Sequence, residues 1–283
     1  MAIITFWSNS KKQMGQTLSI MAAATFMGMD RNYKTLLMTT NAGDTSFEEA
    51  FATQNKNTSR NSLMEEFGIK QSKVGLGTGM EGLIKLASSG KVNPEIITNF
   101  TQVVFKNRLE VLFQARKQPT ENQEELTSIY KGILNNANKY YDYIFVDLEK
   151  GLDSEYKKTI LEMSDVIVVG LEQRKKEIEN FIEFRKKEKL LRKNNTIILL
   201  GRYDRFSKYN TKNVVRQIGL REPIYCMPYN TLLYESVDEH MIAELFLKIR
   251  KADETDRNGI FLKEVKNLVE GILYKVQEVQ MNF

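Results

Sequence analysis

The chain is poor in the residues that build metal centres and covalent staples. One cysteine, Cys226, excludes an intramolecular disulfide and a cysteine-rich metal site. One histidine, His240, excludes a histidine-based zinc site and leaves no evident Ser-His-Asp triad. Four prolines and 16 glycines leave little room for a long flexible linker. No run of about 18 apolar residues is present, so no membrane-spanning helix is expected. The first residues, Met-Ala-Ile-Ile-Thr-Phe-Trp, show neither a basic region nor a cleavage signature, and no signal peptide is expected there. Neither sign of charge dominates: 41 Lys and Arg face 36 Asp and Glu, a net of +5. That excess permits a nucleic-acid or anionic-membrane partner without requiring one. A cytoplasmic protein is the expectation.

What remains is ordinary globular composition, 42% hydrophobic and 27% charged over 283 residues. Such a chain can bury a substantial core in one large domain or two small ones. Short apolar runs at 2–7, 35–40, 109–113, 143–148, 165–171, 196–200 and 223–227 read as strands. Several are continuously hydrophobic, as strands buried on both faces are. Longer amphipathic stretches between them, at 16–29, 121–137, 172–193 and 232–251, suit crossover helices. The pattern predicts an α/β fold with a doubly wound, mainly parallel sheet flanked by helices. Residues 46–106 fit less neatly and are expected to form a helical insertion within a domain spanning 1–254. Residues 255–283 are expected to form a C-terminal amphipathic helix with Phe261, Val265, Leu268, Ile272, Val276 and Val279 at helical spacing.

The most informative stretch follows the first strand: Ser8-Asn9-Ser10-Lys11-Lys12-Gln13-Met14-Gly15-Gln16-Thr17. A buried strand runs into a polar loop, and a helix rich in small residues begins. This is where a phosphate-binding loop sits, with backbone N–H groups around phosphate and a Ser or Thr hydroxyl on Mg²⁺. Only Gly15 and Thr17 fit the regular pattern, and Gln16 stands where a lysine is usual. Read without context, Lys11 and Lys12 are either solvated loop charges or phosphate contacts. Thr17 is either a helix N-terminal hydroxyl or a metal contact. Asp147 ends a strongly apolar strand, where an unpaired carboxylate is costly, and reads as a site residue.

With those residues in view, the chain resembles the ParA/MinD family of deviant P-loop ATPases, whose loop is K-G-G-x-G-K-T. Lys11 matches the signature lysine that reaches the partner's nucleotide across the family's dimer. Tyr141-Asp142-Tyr143-Ile144-Phe145-Val146-Asp147-Leu148-Glu149-Lys150-Gly151 is similar to the family's Y-D-x-I-[IV]-[IV]-D-x-x-x-G. Asp165–Val169, Thr196–Asp204 and Ile224–Tyr229 resemble the strands that follow. The resemblance implies ATP and Mg²⁺ as ligands. It implies nucleotide contacts from Ser10, Lys11, Lys12, Gln13, Met14, Gly15, Gln16, Thr17, Arg202 and Pro228. It implies metal contacts from Thr17 and Asp147, and a homodimer interface near Lys11 and Gly151. Catalysis would fall to Asn41 and Asp44, but the family's first-switch aspartates are replaced by Thr39 and Asn41. The adenine-side asparagine is Gly201. Losing one electrostatic stabiliser typically costs on the order of 10²–10³ in rate. The resemblance therefore implies at most a weak ATPase.

Within the family the chain leans toward the TadZ/CpaE-like subgroup, whose members position pilus-assembly machinery and often carry degenerate loops. That implies a dimer, protein partners of a pilus or secretion assembly, and recruitment to a membrane or cell pole. An N-terminal receiver-like domain, present in many of its members, is not seen here. The alternative is a DNA-binding partition ATPase, using the basic stretch Arg174-Lys175-Lys176 and Arg185-Lys186-Lys187 on phosphates. A bland reading makes that stretch a solvated helix face. A metabolic enzyme on the same fold is a third reading, without a recognisable substrate motif. The C-terminal helix resembles a membrane-surface anchor in its spacing, but its acids match its bases, which favours packing on the domain or on a partner helix.

Overall fold

A computed structural model describes residues 1–10, 13–52, 79–88, 93–192, 195–219 and 224–281. The strands are β1 (Ala2–Trp7), β2 (Thr35–Thr39), β3 (Gln102–Phe105), β4 (Leu109–Leu112), β5 (Tyr143–Asp147), β6 (Val166–Leu171), β7 (Thr196–Tyr203) and β8 (Tyr225–Pro228). They form one sheet in the order β3-β4-β2-β5-β1-β6-β7-β8. All pairings are parallel except β3 with β4. The chain leaves β1 toward β2 on one side and later fills β6 to β8 on the other. The strand order thus reverses beside β1, and the carboxyl ends of the central strands are where such sheets bind ligands.

The helices are α1 (Gln16–Asp30), α2 (Ser46–Phe51), α3 (Met80–Ser88), α4 (Gln123–Ala137), α5 (Glu155–Met163), α6 (Lys175–Lys187), α7 (Thr211–Ile218), α8 (Thr231–Asp238), α9 (Ile242–Ile249) and α10 (Arg257–Met281). They divide between the two faces of the sheet. Ala2, Ile4 and Phe6 of β1 join α1, α2, α8, α9 and α10 in one core. Ile3 and Trp7 join α3 to α7 in the other. The two-residue alternation of a strand produces this division, and burial on both faces explains the continuous apolar runs. Helix α1 lies against the sheet through Ala22, Ala23 and Ala24, all fully buried, and Asp30 is its first ionisable residue. A helix apolar on every side is a core helix.

Three expectations are corrected. The stretch 46–106 is not purely helical: besides α2, α3 and a 3-10 turn at Ile96–Asn99 it contains β3, an antiparallel edge strand. Four residues are too short to show alternation, and β3 is recruited by pairing with β4. Residues 53–78 of that stretch lie outside the described residues. The expected helix at 232–251 is two helices, with His240 in the left-handed region (φ 56°) between them rather than inside a helix. The expected helix at 172–193 is α6 followed by a 3-10 turn at Lys189–Arg192. The C-terminal helix packs on the domain through its apolar stripe, as the balance of its charges favoured. Phe261, Val265, Leu268, Ile272 and Val276 are each at most 2% exposed against the sheet and α1. Among the described residues no helix is long and apolar enough to cross a membrane. Cys226 is a buried strand thiol as expected; burial and nearby Glu264 push its pKa up, which leaves it unreactive.

Candidate functional site

The loop after β1 is built on the strand ends around it. The Ser8 hydroxyl donates to the Gly170 carbonyl (3.0 Å) and accepts from the Ser10 amide (3.1 Å). Gly15 then caps α1 in the left-handed conformation (φ 81°), which only glycine adopts freely. No side chain caps this helix and its own first turn holds no acid. Met14 is fully buried, and its side chain packs against Gly170 and Gly201. A Cβ on Gly201 would lie 2.0 Å from the Met14 carbonyl oxygen. Glycine at 201 therefore has a physical reason: the loop backbone lies directly on the end of β7.

Asp147 is the hub of the site. It ends β5, between β1 and β2, and is completely buried. Gln16 Nε2 donates to Asp147 Oδ1 (2.6 Å), to the Leu148 carbonyl (2.8 Å) and to the Phe6 carbonyl (3.2 Å). Thr17 Oγ1 donates to Asp147 Oδ2 (2.9 Å), and Asn41 Nδ2 reaches the same oxygen at 3.4 Å. Burial pushes the Asp147 pKa up to about 6. The hydrogen bonds from Gln16 and Thr17 oppose that rise, and the charge of Asp44 adds to it. Three acceptors surround the Gln16 amide nitrogen, which has two protons. The Gln16 Oε1 atom is buried without a partner. A lysine ammonium would match that cradle better than the amide present.

The loop after β5 is pinned by the chain itself. Trp7 Nε1 donates to the Gly151 carbonyl (2.8 Å), and the Gly151 amide donates to the Ser8 carbonyl (3.1 Å). Lys157, 3% exposed, donates to Asp153 Oδ1 (2.8 Å) and the Lys150 carbonyl (3.0 Å) and pairs with Glu149 (3.2 Å). The Tyr156 hydroxyl donates to Glu149 Oε2 at 2.6 Å. Sequence reading missed Lys157 and Tyr156. The four-residue spacing of Asp153 and Lys157 at a helix start was the available signal.

These elements border a cleft of about 940 Å³. Gln13, Gly15, Gln16, Thr17, Asn41 and Asp44 line it, as does Arg202. Asp44 holds the start of α2 through the Ser46 amide (2.9 Å) and hydroxyl (2.5 Å). Met14 and Pro228, both expected to contact nucleotide, do not line the cleft: Met14 faces the core and Pro228 ends β8. Ser10 is held by Ser8. Lys11 and Lys12 lie outside the described residues. Among the described residues, no group of three or more His, Cys, Asp or Glu is placed to hold a metal ion by itself.

The architecture is that of the ParA/MinD-type P-loop ATPase fold. A ParA family ATPase from Chlorobium tepidum superposes with a TM-score of 0.65 at 14% identity, covering 95% of this chain and 98% of that one. A putative plasmid partition protein from Borrelia burgdorferi, bound to AMPPNP, gives 0.60 at 16%, covering 99% and 98%. The septum site-determining protein MinD from Pyrococcus horikoshii, complexed with Mg-ADP, gives 0.57 at 16%, covering 95% and 96%. No protein-family model and no curated protein matches the sequence.

Proposed function

We propose that this chain is a nucleotide-responsive positioning protein that acts as a homodimer and turns over ATP slowly or not at all. The observation that carries this reading is the Gln16–Asp147–Thr17 cluster beneath an uncapped helix N-terminus with no acid in its own first turn. The first-turn end of α1 suits an anion, and the oxygens of Thr17 and Asp147, 2.9 Å apart, suit Mg²⁺ and its waters. Bound Mg²⁺ would neutralise part of a polyphosphate's charge. Nucleotide-bound proteins of the same fold support the ligand class.

Hydrolysis is another matter. An attacking water needs an oriented acceptor and the leaving phosphate needs neutralising charge. Asn41 supplies no carboxylate, and the Gln16 nitrogen is turned into Asp147 and two carbonyls. Dimerisation, rather than metabolism, is then the output, with Lys11 and Gly151 near the shared face. Placement of a surface assembly, pilus biogenesis first, is the system that the TadZ/CpaE-like resemblance favours.

Thermal unfolding with Mg²⁺-ATP, Mg²⁺-ADP and Mg²⁺ alone tests the reading. A ligand at about 100 times its Kd adds roughly 2.7 kcal/mol, a midpoint rise of about 4–5 °C in a chain this long. The rise is expected with nucleotide and is expected to vanish in Lys11→Ala and Thr17→Ala. No rise at millimolar nucleotide would refute the reading.

Charge placement favours partition on DNA as a second reading. Residues 172–219 hold 14 Lys and Arg against six Asp and Glu, a net of +8, so the rest of the chain is net −3. Helices α6 and α7 pack together on that edge, and the last turn of α6 carries Arg185, Lys186 and Lys187. If this face binds DNA, a gel shift at low salt should weaken steeply with added salt and disappear when those three residues become alanine. No shift at low salt would remove the second reading.

A further inference from the structure

The loss of the loop lysine leaves an open question that the cleft answers. A polyphosphate needs positive charge, yet the cleft is bordered by Asp44, Glu49, Glu121, Glu149, Asp153 and Asp238. Its described cations are Lys150, Lys157 and Arg202. Lys157 is taken up by Glu149 and Asp153, and Lys150 is engaged with neighbouring groups. The Arg202 side chain forms no ion pair or hydrogen bond with any described residue, and it is exposed where it borders the cleft.

Its placement is unusual. The register between β7 and β8 shifts between Gly201 and Tyr203, so that Arg202 falls at a break in the regular pairing. Arg202 sits at that break at φ 50°, a left-handed conformation that non-glycine residues seldom adopt. Irregularities of this kind redirect side chains, and bulges, one form of them, are common beside functional sites. Here the redirected stem reaches the loop: Arg202 Cγ lies 3.7 Å from where a Cβ on Gly15 would be. Gly201, one residue earlier, lets the loop backbone settle on β7 and brings the two together.

The geometry points to Arg202 as the cation that holds phosphate at the N-terminus of α1, in place of the charge absent at Gln16. This rests on the nucleotide reading above and assigns Arg202 to the phosphates rather than to the base. The guanidinium presents a planar set of donors that suits phosphate oxygens, and charge-assisted bonds of this kind are roughly twice as strong as neutral ones.

The test is calorimetric titration of Mg²⁺-ATP and of Mg²⁺ with inorganic tripolyphosphate, which has no base. Arg202→Asn removes the charge and keeps a residue that tolerates the left-handed conformation, so the fold is preserved. It is expected to weaken both ligands tenfold or more, with Arg202→Lys weakening them less. Adding Gln16→Lys to Arg202→Asn is expected to restore at least tenfold. The proposal is overturned if Arg202→Asn binds both ligands within twofold of the natural chain. It is also overturned if only ATP is weakened, or if Lys11→Ala or Lys12→Ala abolishes tripolyphosphate binding while Arg202→Asn does not. A natural chain that binds neither ligand overturns the nucleotide reading itself. A natural chain that binds both regardless of Arg202 overturns only this assignment.

Discussion

A Gln16→Lys chain is expected to bind Mg²⁺-ATP at least tenfold more tightly than the natural chain. The reason is local. Gln16 Nε2 faces Asp147, the Leu148 carbonyl and the Phe6 carbonyl with two protons, while Oε1 is buried without a donor. A lysine ammonium satisfies that cradle in the unliganded protein, removes the orphaned acceptor, and brings a charge whose longer stem can leave the cradle for an anion at the helix N-terminus. Leaving a buried acceptor unmade costs about 1–3 kcal/mol, so the substituted chain is also expected to unfold at a higher temperature. Tenfold in affinity corresponds to about 1.4 kcal/mol, a modest demand on one charge-assisted contact. Titration calorimetry on the two chains checks it. Equal affinities would mean that the anion does not sit at this end of α1.

The second large effect concerns pH. Asp147 is fully buried and its pKa is pushed up to about 6, mainly by burial. A carboxyl whose pKa is higher folded than unfolded favours the fold at low pH. That contribution is complete below about pH 4 and is lost as pH rises through about 6. Above that pH the chain carries a buried charge in the folded state, a cost of about 3 kcal/mol. Asp147→Asn removes the charge and keeps the shape. The Thr17 hydroxyl can turn to accept, and the Gln16 contact to a carbonyl oxygen survives. The variant is expected to unfold about 5 °C above the natural chain at pH 8 and near it at pH 4.5. Scanning calorimetry across that range reads the difference. A gap independent of pH would mean that Asp147 is ionised in the fold across the whole range. Metal bound at Thr17 and Asp147 should close the gap at pH 8, because it stabilises the carboxylate.

Much of this was legible in the sequence because burial on both faces leaves a direct trace. The runs Ala2–Trp7 and Val166–Leu171 are apolar throughout, as parallel central strands must be. Asp147 stood out for the opposite reason: a carboxylate at the end of such a run needs partners. Gly15 and Thr17 after a polar loop marked the start of α1. Strand β3 was not legible, because Gln-Val-Val-Phe is too short to show a period and owes its state to β4. The break at His240 was hidden because histidine does not announce a left-handed turn as glycine or proline does.

Sequence alone therefore determined the layered α/β architecture and the polar loop at the head of α1 with its Gln16, since these are properties of runs and neighbours. Only the tertiary structure decided what surrounds that glutamine. The Gln16 cradle joins β1, α1 and β5, the Lys157 anchor joins a loop to a helix, and Arg202 meets Gly15 across nearly two hundred residues. Such contacts depend on which strands the sheet sets side by side, and a linear pattern carries no record of that.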